Sequence, residues 1–533
     1  MTEFGRVLSG LAQSPQCPTR ETSKMRESPE RQAFAPCRGV LKRWFALVGV
    51  LCAVAVPSLG WTLPQPVDAV LRAVGLPHEA VAAWVAPARG GPPVLTVRAD
   101  DAFAPASTLK TLITIVALDT LGPNWRGTTR LLSSAPLEGT GDARALAGDL
   151  VLRGEANVDF DGAQLDQLLR RLRAQGVRHV AGDWIVDRGF FQPGRTDVGL
   201  PPFDESPEFR YNAIPDALFL GSNLVALELT SDASTVRVLA EPDLPGVRWR
   251  SAFELIDGRC AAWEDGWRLP EVRAASGDIE VLLRGTFPRG CTASTQINVI
   301  DRDEYVSRLL AARWAALGGT LGGRIRFSDQ RLPEVAAHRE LAVVRSRSLA
   351  EIARDIQRRS DNPITRMVYL ALGAHAARPG EATADAAERV VRGWLTERGI
   401  AAPGLMLDNG SGLSRRERIA PRTLGEVLRV ARRSPWWPEF AYGLPVAGRD
   451  GSLARRLRDS ASAALPHPAR LKTGTLRDVG ALAGYITASD GIEYVFVAMV
   501  NHPEATTARA HPVLDALVEW VARAGWRSEP WAP

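Results

Sequence analysis

Residues 105–123 read Pro105-Ala106-Ser107-Thr108-Leu109-Lys110-Thr111-Leu112-Ile113-Thr114-Ile115-Val116-Ala117-Leu118-Asp119-Thr120-Leu121-Gly122-Pro123. Leu109, Leu112, Ile113, Val116 and Ala117 recur at spacings of three and four, which predicts a helix with one apolar face. Gly122 and Pro123 end it. Ser107 stands at the helix start, and Lys110, three residues on, shares its face.

Upstream, residues 81–86 and 93–97 are β-like and flank Gly90 and Gly91, so they read as a hairpin. Downstream, from about 128 to about 340, the texture changes to short β-like runs at 148–153, 182–186, 223–229, 235–239 and 279–283, interrupted by helical patterns at 162–174 and 302–317. Helical spacing returns at Leu349, Ile352, Ala353 and Ile356, and again over 382–397. Residues 471–475, 481–488 and 492–500 read as strands, the last two joined at Ser489-Asp490-Gly491. A final helix is predicted over 512–524. The order predicts an α+β domain interrupted by a large, mainly β insertion. The expected pieces are a leader over 1–60, a first part of the main domain over 61–127, the insertion over 128–340 and a second part over 341–533.

The chain has 533 residues, 45% of them hydrophobic and 23% charged, a composition that buries a core and excludes disorder. Of its net charge of +5, four units sit in the leader, which holds eight basic and four acidic residues; the remainder carries +1. No broad electrostatic footprint for nucleic acid is expected. Arg38, Lys42 and Arg43 precede an apolar run at 44–56 and the small-residue stretch Pro57-Ser58-Leu59-Gly60, the order of a secretory signal. Thirteen apolar residues fall short of the roughly 20 a membrane span needs. Cleavage after Gly60 is expected, with membrane association weak or absent thereafter; an uncleaved N-terminal anchor is the alternative. Beyond the leader only Cys260 and Cys291 remain, as one disulfide in an oxidising compartment or as two separate thiols.

Only four of the 65 basic residues are lysines, and only Lys110 and Lys472 lie beyond the leader. Lysine, unlike arginine, can lose its proton when desolvated. Ser107 and Lys110 form Ser-x-x-Lys: a serine hydroxyl is a poor nucleophile until a base takes its proton, and a neutral lysine one helical turn away is such a base. Lys472 opens Lys472-Thr473-Gly474-Thr475 on a predicted strand, where a glycine lets a substrate backbone approach and the ammonium meets a carboxylate. Between them lies Ser360-Asp361-Asn362, suited to relaying a proton and holding an amide, or else a helix end or Asx turn. The seven histidines show no metal-ligand spacing, and no Gly-x-Ser-x-Gly elbow is present. No metal and no cofactor are expected.

Ser-x-x-Lys, Ser-Asp-Asn and Lys-Thr-Gly in this order are the signature of class A β-lactamases and penicillin-binding proteins. The chain resembles the penicillin-recognising serine acyltransferases. The long separation of Ser107 from Ser360 resembles the class C low-molecular-mass penicillin-binding proteins, the D-alanyl-D-alanine carboxypeptidase/endopeptidase family. Residues 211–223, 408–414, 448–453 and 471–476 are similar to that family as well. Departures stand at 345–349, where prolines are expected, at Arg359, and at 155–160, where a glycine-rich turn is expected; they bear on the insertion and on substrate access.

The resemblance implies a penicillin-binding/serine β-lactamase-like domain and a periplasmic enzyme acting on peptidoglycan peptides. Ser107 would be the nucleophile and Lys110 its base, with Ser360 and Lys110 returning the proton to the leaving amine. Asn362 would hold substrate amides, Lys472 and Thr473 would face the terminal carboxylate beside Gly474, which admits the substrate backbone, and the amides of Ser107 and Thr475 would form the oxyanion hole. β-Lactam antibiotics would be covalent inhibitors. A β-lactamase, or a non-catalytic wall-binding or assembly factor, are the alternatives.

Overall fold

The segment Val81–Pro87 is buried almost throughout because both of its faces are covered. Ala82, Trp84 and Ala86 face one core, and Val81, Ala83 and Val85 face another. This two-sided burial replaces the apolar/polar alternation of a half-exposed strand with a continuous apolar run. Val81–Pro87 belongs to an antiparallel sheet ordered Arg470–Leu476, Val479–Thr487, Glu493–Asn501, Val81–Pro87 and Leu95–Val97. Helices Gln65–Ala73 and Thr507–Ala522 cover one face. Helices Lys110–Leu121, Leu349–Arg358, Asn362–Ala376, Thr383–Glu397, Pro421–Arg433 and Trp437–Gly443 cover the other. The expected α+β architecture is present. The computed structural model describes residues 63–199, 206–333, 338–465 and 467–527; the expected signal and leader, 1–60, lie outside them.

Several elements differ from the sequence reading. The helix after Ser107 is buried on all sides from Lys110 to Leu118, where one apolar face was expected. Its threonines permit this: Thr108 and Thr111 donate to carbonyls of Pro105 and Thr108, both at 2.7 Å, and Thr114 accepts from Gln357 at 2.8 Å. The last helix starts at Thr507, five residues before the expected 512, with Pro512 inside it. Thr506 caps it, its carbonyl accepting from Arg509 and Ala510. Asn362–Ala376 and Pro421–Arg433 were not anticipated. The first packs Val368, Tyr369 and Leu372 into the main core and Met367 and Ala371 into a second cluster, which erases a single-face period.

The inserted region has a core of its own around Leu152, Leu168, Trp184, Leu229, Val281 and Trp314. Its largest sheet runs Ile325–Ser328, Trp184–Asp187, Leu150–Glu155, Thr128–Ser133, Arg339–Arg345. The expected boundary between residues 340 and 341 therefore falls inside a strand, because Arg339–Arg345 pairs with Thr128–Ser133 through to Arg345 opposite Thr128. Two three-stranded sheets and a four-stranded one complete the region. Cys260 and Cys291 are joined by a disulfide, which decides between the two readings of that pair.

Candidate active site

The polypeptide enters the helix Lys110–Leu121 through a tight turn, Ala106–Leu109, and Ala106 is held at a φ of 45°. Such a backbone is uncommon for a residue with a Cβ and persists only where the surroundings impose it. Two glycines let neighbouring backbone pack directly against it. A Cβ on Gly412 would lie 1.8 Å from the Ala106 carbonyl oxygen, and one on Gly474 would lie 2.7 Å from that of Pro105. The loop around Gly412 and the edge strand Arg470–Leu476 thus close on the serine turn from two directions.

Lys110 is fully buried, and its Nζ meets three oxygens: Ser107 Oγ at 2.9 Å, Asn362 Oδ1 at 2.7 Å and the Ser411 carbonyl. Burial holds its pKa well below the ordinary lysine value, and the charge of Lys472 pushes the same way. Glu417 and Asp361 oppose this shift, while Arg366 adds to it.

Ser360 and Asn362 are placed by a break between two helices. Leu349–Arg358 ends, Ser360 takes a φ of 57°, and Asp361 caps Asn362–Ala376 by accepting from the Ile364 amide at 2.9 Å. The Asx-turn reading of this tripeptide is realised in Asp361, which caps the helix while its two neighbours hydrogen-bond the lysines. Ser360 Oγ accepts from Lys472 Nζ at 2.9 Å. Asn362 Nδ2 donates to the Tyr211 carbonyl at 3.1 Å, which leaves one N–H for a ligand.

Lys472 is fully buried too, and burial pushes its pKa down to about 7. It also donates to the Thr473 carbonyl at 2.8 Å, while Thr473 Oγ1 donates to Ser452 Oγ at 2.6 Å. Thr475 lies on the same edge strand, beside the serine turn. The structure brings Ser107, Lys110, Ser360, Asn362, Lys472, Thr473, Gly474 and Thr475 into one site. Among the described residues no cluster of histidine, cysteine and carboxylates could hold a metal.

Four contributors went unread in the sequence: the Ser411 carbonyl, Glu417 behind it, the Tyr211 carbonyl and Ser452. Three of them lie in the family-like stretches 211–223, 408–414 and 448–453, but two act through backbone oxygens, which carry no residue signature. The inserted region reaches the site directly. Arg210 pairs with Asp361 at 2.9 Å, and Arg366 donates to the carbonyls of Asn212 and Ala213.

A serine beside a desolvated lysine, at the edge of an antiparallel sheet covered by helices, defines a serine-type hydrolase with the penicillin-binding fold. The pattern of the D-Ala-D-Ala carboxypeptidase 3 (S13) family matches residues 63–524, and the chain belongs to that family. It is a serine-type D-Ala-D-Ala carboxypeptidase. The chain is 26% identical over 442 residues to a D-alanyl-D-alanine carboxypeptidase of an Actinomadura strain, covering 80% of this chain and 79% of that one. It is 25% identical over 404 residues to the D-alanyl-D-alanine carboxypeptidase DacB of Haemophilus influenzae, covering 74% and 80%. The crystal structure of penicillin binding protein 4 (dacB) from Haemophilus influenzae matches the fold with a TM-score of 0.71 at 21% identity, over 86% of this chain and all of that one.

Proposed function

We propose that Lys110, as a neutral amine, activates Ser107 for attack on the bond between the two D-alanines of a peptidoglycan stem peptide. One observation carries this reading. A neutral lysine has two N–H donors and one lone pair, and three oxygens surround Nζ. Asn362 Oδ1 and the Ser411 carbonyl can only accept, so they take the two N–H bonds and leave the lone pair aimed at the Ser107 hydroxyl.

Ser107 Oγ adds to the carbonyl carbon while its proton passes to Lys110. The oxyanion is met by the amides of Ser107 and Thr475. Collapse breaks the C–N bond, and the leaving amine takes the proton through Ser360, whose oxygen Lys472 holds at 2.9 Å. Water, deprotonated by Lys110, then adds to the ester, releases the shortened peptide and returns the proton to Ser107. Asn362 holds a substrate amide through its remaining N–H, and Lys472 with Thr473 faces the terminal carboxylate. Cross-linked peptides differ only in a larger leaving amine. A β-lactam, whose strained amide mimics the D-alanyl bond, acylates Ser107; the relative in Haemophilus influenzae has been crystallised with one.

The substrate lies outside the cytoplasm, and we place the enzyme in the periplasm. The Cys260–Cys291 disulfide fits an oxidising compartment. Among the described residues no helix is long and apolar enough to cross a membrane. Purified protein and its Ser107→Ala variant, incubated with a peptide ending in D-alanyl-D-alanine, test the reading by free D-alanine released. The parent releases it and the variant does not; release by the variant would end the proposal.

A further inference from the structure

The Ser411 carbonyl holds Lys110 only if the loop that carries it is itself held; Ser414 Oγ donates to Asp408 at 2.5 Å and the Leu413 amide to Ser411 Oγ at 3.3 Å. Asn409 Oδ1 accepts from the Ser411 amide at 3.0 Å and from its hydroxyl at 2.6 Å. The remaining amides converge on one side chain. Glu417 Oε1 accepts from Gly410 at 2.7 Å, from Asn409 at 3.1 Å and from Asp408 at 3.4 Å, and its Oε2 accepts from Gly412 at 2.8 Å. Glu417 is fully buried. A buried carboxylate is expensive unless it is hydrogen-bonded, and here four amides of one loop, at 408, 409, 410 and 412, donate to it. The same loop presses Gly412 against the Ala106 carbonyl, so Glu417 lies behind both the lysine and the serine turn.

We infer that Glu417 is a positioning residue for the reaction: its ionised carboxylate clamps the loop 408–412 so that the Ser411 carbonyl and Gly412 fix Lys110 and Ser107 in reactive geometry. The inference rests on the reading of Lys110 as the base. A protonated carboxyl would turn an O–H donor toward an amide donor and release part of the loop. Burial and the neighbouring Asp408 push the Glu417 carboxyl up to about 7, against the pull of the amides. The charged groups that bear on Lys110 are Lys472, Glu417, Asp361 and Arg366; Glu417 faces Asp408 as well. The charge of Glu417 therefore bears on the protonation of Lys110. The ionised glutamate favours the charged lysine, and the charged glutamate is also the form that holds the loop. Both effects place the acid limb of the pH–rate profile higher than the lysine alone would.

The test is the pH profile of Ser107 acylation by a penicillin, followed by intact mass, for the parent, Glu417→Gln and Asn409→Ala. Glutamine keeps the shape, loses the charge and sets an N–H against amide donors. Glu417→Gln is expected to slow acylation by roughly 10- to 100-fold and to move the acid limb to lower pH by on the order of one unit. Asn409→Ala loosens the loop but leaves Glu417 charged, so it is expected to slow acylation with the limb unmoved. A Glu417→Gln limb that superposes on the parent's would overturn the inference, and so would an Asn409→Ala limb that shifts as far. Should Glu417→Gln not fold, judged by its thermal unfolding, Glu417→Asp replaces it. Aspartate is one carbon short for the four amides, so slower acylation with the limb in place supports the clamp, and parental rates overturn it. Failure of the base assignment is read separately: Lys110→Arg would then acylate as the parent does.

Discussion

At the scale of single residues, the site turns on two lysines that must be in opposite states. In the proposed mechanism Lys110 is neutral so that it can take a proton, whereas Lys472 is charged so that it can hold a carboxylate. Each is buried, and the charge of Lys472 helps keep Lys110 neutral. Lys472 sits near its own midpoint, at about 7. A substrate carboxylate binds its protonated form, so KM for a D-alanyl-D-alanine peptide is expected to rise as pH passes upward through 7. A peptide with an amidated C-terminus should lack that rise, and steady-state kinetics on the two peptides checks it. The sign for stability runs the same way for any depressed lysine. Between about pH 7 and the ordinary value of 10.5, the unfolded chain holds a proton that the folded one lacks, so stability increases with pH across that window. Lys472→Met should flatten the increase in urea unfolding series.

At the scale of elements, the proposed mechanism requires the edge strand Arg470–Leu476 to lie against the Ala106–Leu109 turn, as it does. Gly474 permits the contact, since a Cβ there would lie 2.7 Å from the Pro105 carbonyl and 3.1 Å from Ala106 Cβ. Gly474→Val is expected to push strand and turn apart and to slow penicillin acylation by about 100-fold, with thermal unfolding little changed because the strand stays paired along Val479–Thr487. Acylation at the parental rate would show that the contact is dispensable. The strands and helices that position the site were legible in the sequence where one face or a clear apolar run dominated: the hairpin, the nucleophile helix and the three C-terminal strands. Asn362–Ala376 was not, because it serves two apolar clusters and its period is lost. Pro421–Arg433 carried a readable signal in Leu424, Val427, Leu428 and Ala431 with Pro421 at its start, and it was passed over. The side chains of the site were legible because their chemistry is tied to residue type. The Ser411 and Tyr211 carbonyls were not, since any residue supplies one.

At the scale of the whole molecule, the inserted region is both a separate core and a wall of the site. Its own cluster around Trp184 and Trp314 stands apart from the cores of the body, while Arg210, Tyr211, Asn212 and Ala213 reach the start of Asn362–Ala376. The disulfide lies within it, far along the chain from Ser107. Replacing Cys260 and Cys291 with alanine is expected to cost about 2–5 kcal/mol of stability, measured by urea unfolding, and to leave D-alanine release nearly unchanged at temperatures where the variant is folded. Loss of activity in the folded variant would mean that the bridge shapes the catalytic wall. The central claim concerns the amine behind Ser107. Arginine at position 110 would be permanently charged and have no lone pair to offer. D-Alanine release by Lys110→Arg is therefore expected to fall by roughly 100- to 10,000-fold relative to the parent. Release at the parental rate would contradict the account.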